Sequence, residues 1–401
     1  VRILIIHQNF PGQFRQLAPY LQQCGHEVVA ICAHERSTGI NCRTLRYKEP
    51  SKHDGLPLSS ELAHDSFQRA SEVAKLCGQL DAEGWRPERI CAHSGWGETL
   101  AIREVWDDVP QILWPELWVS PEHGGHGFDP QKAPPGLELR LDQVGRNSLT
   151  RAALDQAVSW VLPTQHQANS FPNEFRDSRM HVIHEGIDTK LACPNPDINF
   201  TVRGIQINRS IPTITFINRS LERLRGFDTF MRSLPAIQRS YPKVRILIVG
   251  DDQKGYGTLH ETGRPLREVM LEELAGKIDL ERIHFLGRIP YLQFLAILQA
   301  SWVHIYLSYP FVLGWSCLEA MSCGCCIVGS KNMPVEEVIH NGIEGLLVPI
   351  TSPDDVARAV IKMLGDARIR DELGRNARKN VLNLDQSILL PKTLELIQNS
   401  F

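Results

Sequence analysis

Apolar residues come along this chain in short unbroken runs, each followed by a turn signal and then by a stretch with helical spacing. The first run, Val1 to Ile6, breaks at Asn9-Phe-Pro-Gly12-Gln-Phe; helical spacing covers Phe14 to Cys24, and a second run follows at Val28 to Cys32. Short continuous apolar runs mark strands buried on both faces, and strand–helix–strand order predicts parallel pairing under a cover of helices. The alternation goes on. Leu62, Phe67, Ala70, Val73, Ala74 and Cys77 give helical spacing within Ser60 to Gly78, a long helix is expected over Leu137 to Gln156, and strands over Arg89 to His93, Gln111 to Trp114 and Val158 to Leu162. His181 to Asp188 reads as a strand running into a turn, and proline and asparagine then thicken between Pro194 and Pro212, the composition of a connection.

A second series begins beyond that connection. Thr213 to Ile217 and Val244 to Val249 read as strands around a helix over Gly226 to Ser240. Trp302 to Leu307 is a further strand; turn-like residues at Tyr309 to Gly314, a helical segment and another strand complete the stretch to Gly329. The expected class is α/β: two Rossmann-like doubly wound domains facing each other across a cleft, residues 1–195 and 205–380, with a closing segment at 381–401.

Length and composition fit that picture. A chain of 401 residues with 42% hydrophobic and 22% charged residues is long enough for two cores. Its net charge of -3 argues against nucleic acid as a partner. The first 190 residues carry 19 Lys and Arg against 24 Asp and Glu, so neither half is polybasic, although Arg36 to Lys52 is locally basic and is expected to be a solvated strand and loop. No apolar run reaches the length of a membrane span and the start lacks a secretory cleavage pattern, so a cytoplasmic location is expected, with peripheral contact to the cytoplasmic face of a membrane as its variant. The ten cysteines lie scattered in apolar runs, as buried thiols do; Cys323 to Cys326 matches C-x-x-C without a second pair to make a zinc site.

Candidate chemistry sits where loops follow strands. A helix opening after Gly314 aims unpaired backbone N–H groups at the carboxyl end of a parallel sheet, where they can hold an anion such as phosphate. Glu319, a turn further in, suits a sugar hydroxyl; the blander account is a capping box, Ser316-x-x-Glu319. Arg219 and Arg225 flank a strand-to-helix turn and can converge on a diphosphate, whereas Arg223 reads as a solvated turn residue. In the first half, Gly12 lies in a loop that opens a helix. His93, Glu116, Glu122, His123 and His126 are candidate acid–base or hydroxyl-binding groups, set against the commoner role of a hydrogen-bonded packing histidine, and Pro121 to Gly136 is expected to be a mobile loop. Neither a G-x-G-x-x-G after the first strand nor a G-x-x-x-x-G-K-[ST] occurs, which argues against dinucleotide binding and NTP hydrolysis.

Taken together, Arg219 to Gly226 (R-x5-[RK]-G), Val249-Gly-Asp251, Phe285-Leu-Gly-Arg288, Gly314-x4-Glu319, Glu337-Val-Ile with Gly342 and Gly345, and His184-Glu-Gly-Ile-Asp188 resemble the retaining, nucleotide-sugar-dependent glycosyltransferases of family 4, which have the GT-B fold. The resemblance implies that Arg219 and Arg225 bind the donor diphosphate, Glu319 the ribose, and the backbone near Gly287, Arg288 and Ile289 the base, with Gly250 among the donor-binding positions. It further implies that Leu313, Gly314, Trp315 and Ser316 offer backbone N–H groups to sugar and phosphate, that Gly12 approaches the diphosphate, and that Leu384 to Phe401, interrupted by Pro391, crosses back to the first domain. Two departures stand out: Phe311 occupies the position of the family's first glutamate, and Glu116 that of a histidine common in the family, where it becomes a sugar or acceptor contact. The NFPGQF and YPFVLGWSCLEAM runs are similar to those of cyanobacterial exopolysaccharide enzymes of the family, which implies UDP-glucose as donor. The expected reaction is hexosyl transfer to a glycan or lipid-linked acceptor with no metal or other cofactor. The rival is a non-enzymatic sugar-nucleotide or glycan binder; an epimerase or phosphorylase on the same fold ranks below it.

Overall fold

The computed structural model describes residues 1–35, 39–51, 55–121, 136–253, 255 and 262–400, with Leu58 given by its backbone alone. Glu122, His123, His126 and the expected loop before Gly136 therefore lie outside the described residues. Two compact units are present: Val1–Gly186 with Gln386–Phe401, and Ile187–Asp385.

The first unit is a seven-stranded parallel sheet. Its strands are β1 (Arg2–Ile6), β2 (Glu27–Cys32), β3 (Arg43–Arg46), β4 (Arg89–His93), β5 (Gln111–Trp114), β6 (Ser159–Leu162) and β7 (Met180–Val182), in the order β3-β2-β1-β4-β5-β6-β7. The helices between them are α1 (Leu17–Gln23), α2 (Leu58–Ala82), α3 (Leu137–Leu154) and α4 (Gln165–Ser170). Because successive side chains of a strand point to opposite faces, Leu4 and Ile6 join one apolar cluster with Trp106, Trp160 and Phe171, while Ile3 and Ile5 join another with Phe10 and Phe14. The helix expected from Phe14 begins later: Gly12–Arg15 is a single 3₁₀ turn, and α1 starts at Leu17. The locally basic stretch contains β3, an edge strand whose Arg43 and Arg46 pair with Glu83 and Glu35. Paired charge on an edge blunts strand-to-strand association.

The second unit opens where composition predicted a mere connection. β8 (Phe200–Val202) and β9 (Ile205–Ile207) form an antiparallel hairpin, and Val202 and Ile207 are fully buried in this unit's core. The two turn residues, Arg203 and Gly204, have φ of 49° and 80°, the doubly positive turn that matches strand twist, built without the usual Asn-Gly. Six parallel strands follow: β10 (Thr213–Ser220), β11 (Arg245–Asp251), β12 (Ile283–Gly287), β13 (Val303–Tyr306), β14 (Cys326–Ser330) and β15 (Gly345–Val348), ordered β12-β11-β10-β13-β14-β15. Their helices are α5 (Phe227–Ser240), α6 (Leu266–Glu273), α7 (Tyr291–Ala300), α8 (Trp315–Ser322), α9 (Pro353–Gly365) and α10 (Ala367–Val381). Side-chain caps fix two starts: Ser352 accepts from the Asp355 N–H and Asp366 from the Ile369 N–H.

The last helix, α11 (Gln386–Asn399), belongs to the first unit. Its Leu390 and Ile397 lie in the cluster of Ile3 and Ile5, and the Ile397 carbonyl accepts from Arg89 Nε at 3.0 Å.

Candidate functional site

A doubly wound sheet opens a crevice at the carboxyl ends of the two strands where the winding reverses. In the second unit these are β10 and β13. Arg219, near the end of β10, is exposed and makes no ion pair among the described residues. The turn Arg223–Arg225 closes at Gly226, whose φ is 64° and where a Cβ would stand 2.5 Å from Leu307 Cβ, so only glycine fits. Arg225 donates to Ser308 Oγ at 2.9 Å, and the Tyr309 N–H donates to the Leu224 carbonyl at 2.8 Å. The loops leaving β10 and β13 are thereby laced together. Buried Ser330 and Asn332 in turn donate to the Ser308 carbonyl at 2.9 and 2.7 Å, which fixes the residue that holds Arg225. Arg223 turns away to Asp228, as expected of a turn residue.

Next to Arg225 lies the start of α8. Tyr306 links the two: Arg225 acts electrostatically on its phenol, and the Tyr306 hydroxyl accepts the Gly314 N–H at 2.8 Å. Burial pushes the Tyr306 phenol up to about 12 against the pull of Arg225, so it stays protonated. One expectation needs correcting here. The Gly314 N–H does not face a ligand, because it satisfies a buried phenol oxygen. The capping box is not formed either: Gly314 is the N-cap, no side chain caps the helix, and Ser316 already lies inside it. Glu319 is 4% exposed and accepts from the Tyr291 hydroxyl of α7 at 2.7 Å. Leu313 packs into the core with Cys317 and Leu318, while Phe311, Trp315 and Ser316 are half-buried.

The remaining donor-side candidates end β11 and β12. A Cβ on Gly250 would come within 2.7 Å of the Asn218 carbonyl, so β10 and β11 close up at this end. Gly287 has φ of 59°; the side chain of Arg288 pairs with Asp251, its carbonyl accepts from Arg203 at 3.3 Å, and Ile289 packs against the core.

In the first unit the winding reverses between β1 and β4. Their carboxyl ends carry His7 and His93, with ring centroids 5.3 Å apart. At Gly12, φ is 50°, and the space a Cβ would need is filled by the His7 ring at 2.2 Å. Gly95 likewise yields to the His93 ring at 2.7 Å. His93 is 3% exposed and its Nε2 faces Glu116 Oε2 across 3.8 Å. Burial lowers the His93 pKa, but Glu116, helped by Glu98 and Glu185, more than restores it and leaves it raised. Burial would raise Glu116, yet the facing His93 imidazole, with the charge of His7, leaves it lowered. Glu98 is fully buried, accepts from the Tyr47 hydroxyl at 2.9 Å, and has its pKa raised by that burial.

Glu116 also has unusual backbone. Its φ is 61°, and the Leu117 N–H donates to the Pro115 carbonyl at 2.8 Å, a three-residue γ-turn of the rare positive-φ kind. Such a conformation costs on the order of 1–3 kcal/mol. The Glu116 carbonyl accepts from Gln167 Nε2 at 2.8 Å, and one hydrogen bond, worth about 1 kcal/mol, does not offset that strain alone. Burial of Leu117 supplies more.

Two of the first-half candidates, His93 and Glu116, are thus brought together. His7, Tyr47 and Glu98 were missed by sequence reasoning; their one signal was position, immediately after a strand or inside the Ser94-to-Thr99 loop. The C-x-x-C pair is not reactive: Cys323 and Cys326 are buried with raised thiol pKa values, and no group of ligands suited to a metal occurs among the described residues.

A family model described as Glycosyl transferase family 4 group matches residues 24–192, and one described as Glycosyl transferases group 1 matches residues 199–380. The chain belongs to the group 1 glycosyltransferases. Its fold is GT-B: sucrose-phosphate synthase from Thermosynechococcus elongatus superposes with a TM-score of 0.73 at 19% identity, covering 99% of this chain and 98% of that one. Anabaena HepE in complex with UDP and glucose superposes with a TM-score of 0.69 at 15% identity, covering 99% of each. In sequence, an uncharacterized glycosyltransferase of Methanocaldococcus jannaschii is 30% identical over 166 residues, which is 41% of this chain and 39% of that protein. The chain spans 39%, 45% and 66% of the lengths of three curated relatives that it matches. For this group 1 glycosyltransferase, no described helix is long and apolar enough to cross a membrane.

Proposed function

We propose that the protein is a retaining hexosyltransferase that moves a sugar from a nucleotide-sugar to a glycan or lipid-linked acceptor in exopolysaccharide synthesis. The observation that carries this reading is the linkage of Arg225, Tyr306 and the start of α8 at the carboxyl ends of β10 and β13. An acceptor hydroxyl attacks the anomeric carbon, the bond to the diphosphate breaks, and the hydroxyl proton leaves with the nucleotide diphosphate or to solvent. Arg219, Arg225 and the N–H groups of Trp315 and Ser316 stabilise charge on the departing diphosphate, so the step needs no divalent cation or other cofactor. Glu319, steadied by Tyr291, receives the ribose, and the backbone around Gly250, Gly287, Arg288 and Ile289 the base. Gly12 is a further candidate for the diphosphate, and Glu116 for the sugar or the acceptor. HepE, bound to UDP and glucose, supports UDP-glucose as the donor. A cytoplasmic site of action, with peripheral membrane contact where the acceptor is lipid-linked, fits the same reading.

Calorimetry with UDP, GDP and ADP, each with and without magnesium, followed by UDP-glucose turnover, tests this. Selective UDP binding that is indifferent to magnesium, with slow release of glucose, is the expected result. No nucleotide binding overturns the reading. Binding without turnover on any acceptor favours the rival, a non-enzymatic sugar-nucleotide binder, for which Phe311 in place of a carboxylate is the one argument.

A further inference from the structure

Three histidines at the carboxyl ends of the first sheet share one local arrangement. His7 follows β1, His93 ends β4 and His184 follows β7, and each accepts at Nδ1 the N–H of the residue two further on: Asn9 at 3.0 Å, Gly95 at 3.3 Å and Gly186 at 3.3 Å. A nitrogen that accepts a hydrogen bond carries no proton, so the ring's proton sits on Nε2 in each case. The backbone therefore selects the tautomer. For His93 that choice has a target, since Nε2 is the atom facing Glu116.

We propose that His93 is a positioning residue: with its tautomer set by the Gly95 amide, its Nε2–H holds the Glu116 carboxylate, itself presented by the γ-turn, in one orientation for a substrate hydroxyl. Three features converge on this. The γ-turn at Glu116 is strained, and strain persists where its surroundings over-determine it, here through Gln167, whose amide oxygen accepts from Thr164 at 2.9 Å. Glycine at position 95 is what lets the His93 ring lie against its own loop. The Glu116 side chain keeps 39% of its exposure whereas His93 keeps 4%, so the carboxylate reaches solvent and the imidazole stands behind it. The present 3.8 Å is longer than a hydrogen bond, as is usual before a substrate is bound.

The groups acting on His93 are Glu116, Glu98 and Glu185, with His7 against its ring; those acting on Glu116 are His93 and His7, and behind Glu98 stand Tyr47 and Arg69. With the His93 Nε2–H engaged by it, the ionised Glu116 carboxylate is an acceptor. It suits a hydroxyl, which can give a hydrogen bond, and repels a phosphate oxygen, which can only take one.

The role for a substrate hydroxyl rests on the transferase reading; the pairing of His93 with Glu116 does not, and the two are tested apart. Nitrogen-15 NMR of the imidazoles, with the His93 signal identified by its loss in His93→Gln, reads the pairing directly. The expected outcome is an Nε2–H tautomer for His93 and a titration midpoint about one pH unit lower in Glu116→Gln than in the natural protein. A protonated Nδ1 in the neutral ring, or equal midpoints in the two proteins, overturns the proposal whether or not turnover is ever seen. With turnover in hand, His93→Phe is expected to lower kcat/KM roughly 10- to 100-fold, the worth of a hydrogen bond to a charged group, and to move the acid limb of the pH profile up by about one unit. His93→Gln, which places an N–H near Nε2, restores the acid limb; an acid limb unmoved in His93→Phe counts against the role.

Discussion

At the carboxyl ends of β1 and β4 the first unit gathers imidazoles and carboxylates, whereas at those of β10 and β13 the second gathers guanidinium groups and amide N–H groups. Both crevices arise from the same winding rule, and they hold opposite kinds of chemistry. Charge in the second unit comes from arginines, which keep their protons at any working pH, and from backbone dipoles, which do not titrate. Charge in the first comes from groups that shift one another's pKa. Sensitivity to pH should therefore belong to the first crevice and affinity for anions to the second.

The comparison can be broken most severely at Gly226. Gly226→Ala places a Cβ 2.5 Å from Leu307 Cβ at φ of 64°, and a loss of roughly 2–6 kcal/mol in urea unfolding is expected, with loss of nucleotide binding, from strain and overpacking together. Arg225→Ala removes one charge-assisted contact together with the hydrogen bond to Ser308. Nucleotide affinity should fall about 10- to 100-fold by calorimetry, equally at pH 6 and pH 8; an effect that appears at only one of these values would contradict the assignment of constant charge to this crevice.

The smallest effect tests whether the second unit is as indifferent to acid as its crevice suggests. It is not, for a reason buried beneath the sheet. His304 on β13 is fully buried, its Nδ1 lies 2.9 Å from the Thr215 hydroxyl, and burial pushes its pKa down to about 3. His184 in the first unit is pushed down to about 4 by the same cause. A histidine held neutral takes up its proton more readily when unfolded, so its contribution is intact above the unfolded value near 6.5 and is lost as pH falls toward the folded one. Each should lose about 2 kcal/mol between pH 6.5 and pH 5. Comparing urea unfolding at pH 7 and pH 5, His304→Val should show a shallower pH dependence than the natural chain; an unchanged dependence would rule out His304 as the acid-sensitive group.

Much of this architecture could be read from residue order. Strands such as Arg89–His93 and Gln111–Trp114 have in the structure the bounds that residue order predicted, because their apolar centres mark strands buried on both faces. The positions of Arg219 and Arg225 around a strand-to-helix turn, and of Glu319 inside a short helix, were legible from the apolar runs and glycines that bracket them. The hairpin at Phe200–Ile207 was not, since its turn residues gave no familiar signal and its strands are three residues each. His7, Tyr47 and Glu98 were also hidden: they are far apart along the chain, and parallel pairing is what brings the ends of β1, β3 and β4 to one edge. The γ-turn at Glu116 depends on Gln167, 51 residues later, and no local pattern could reveal it.

The return of α11 to the first unit imposes an order on the making of this protein. Part of the cover for Ile3 and Ile5 is supplied by Leu390 and Ile397, alongside Phe14 and Leu17, so the first unit emerges from the ribosome incomplete and waits for about 200 residues of the second to be made. At roughly 5–20 residues per second, that interval is on the order of 10–40 s. During it the earliest strands of the chain depend on whatever else will shield them. A chain cut after Leu384 would leave the second unit nearly whole and the first permanently unfinished.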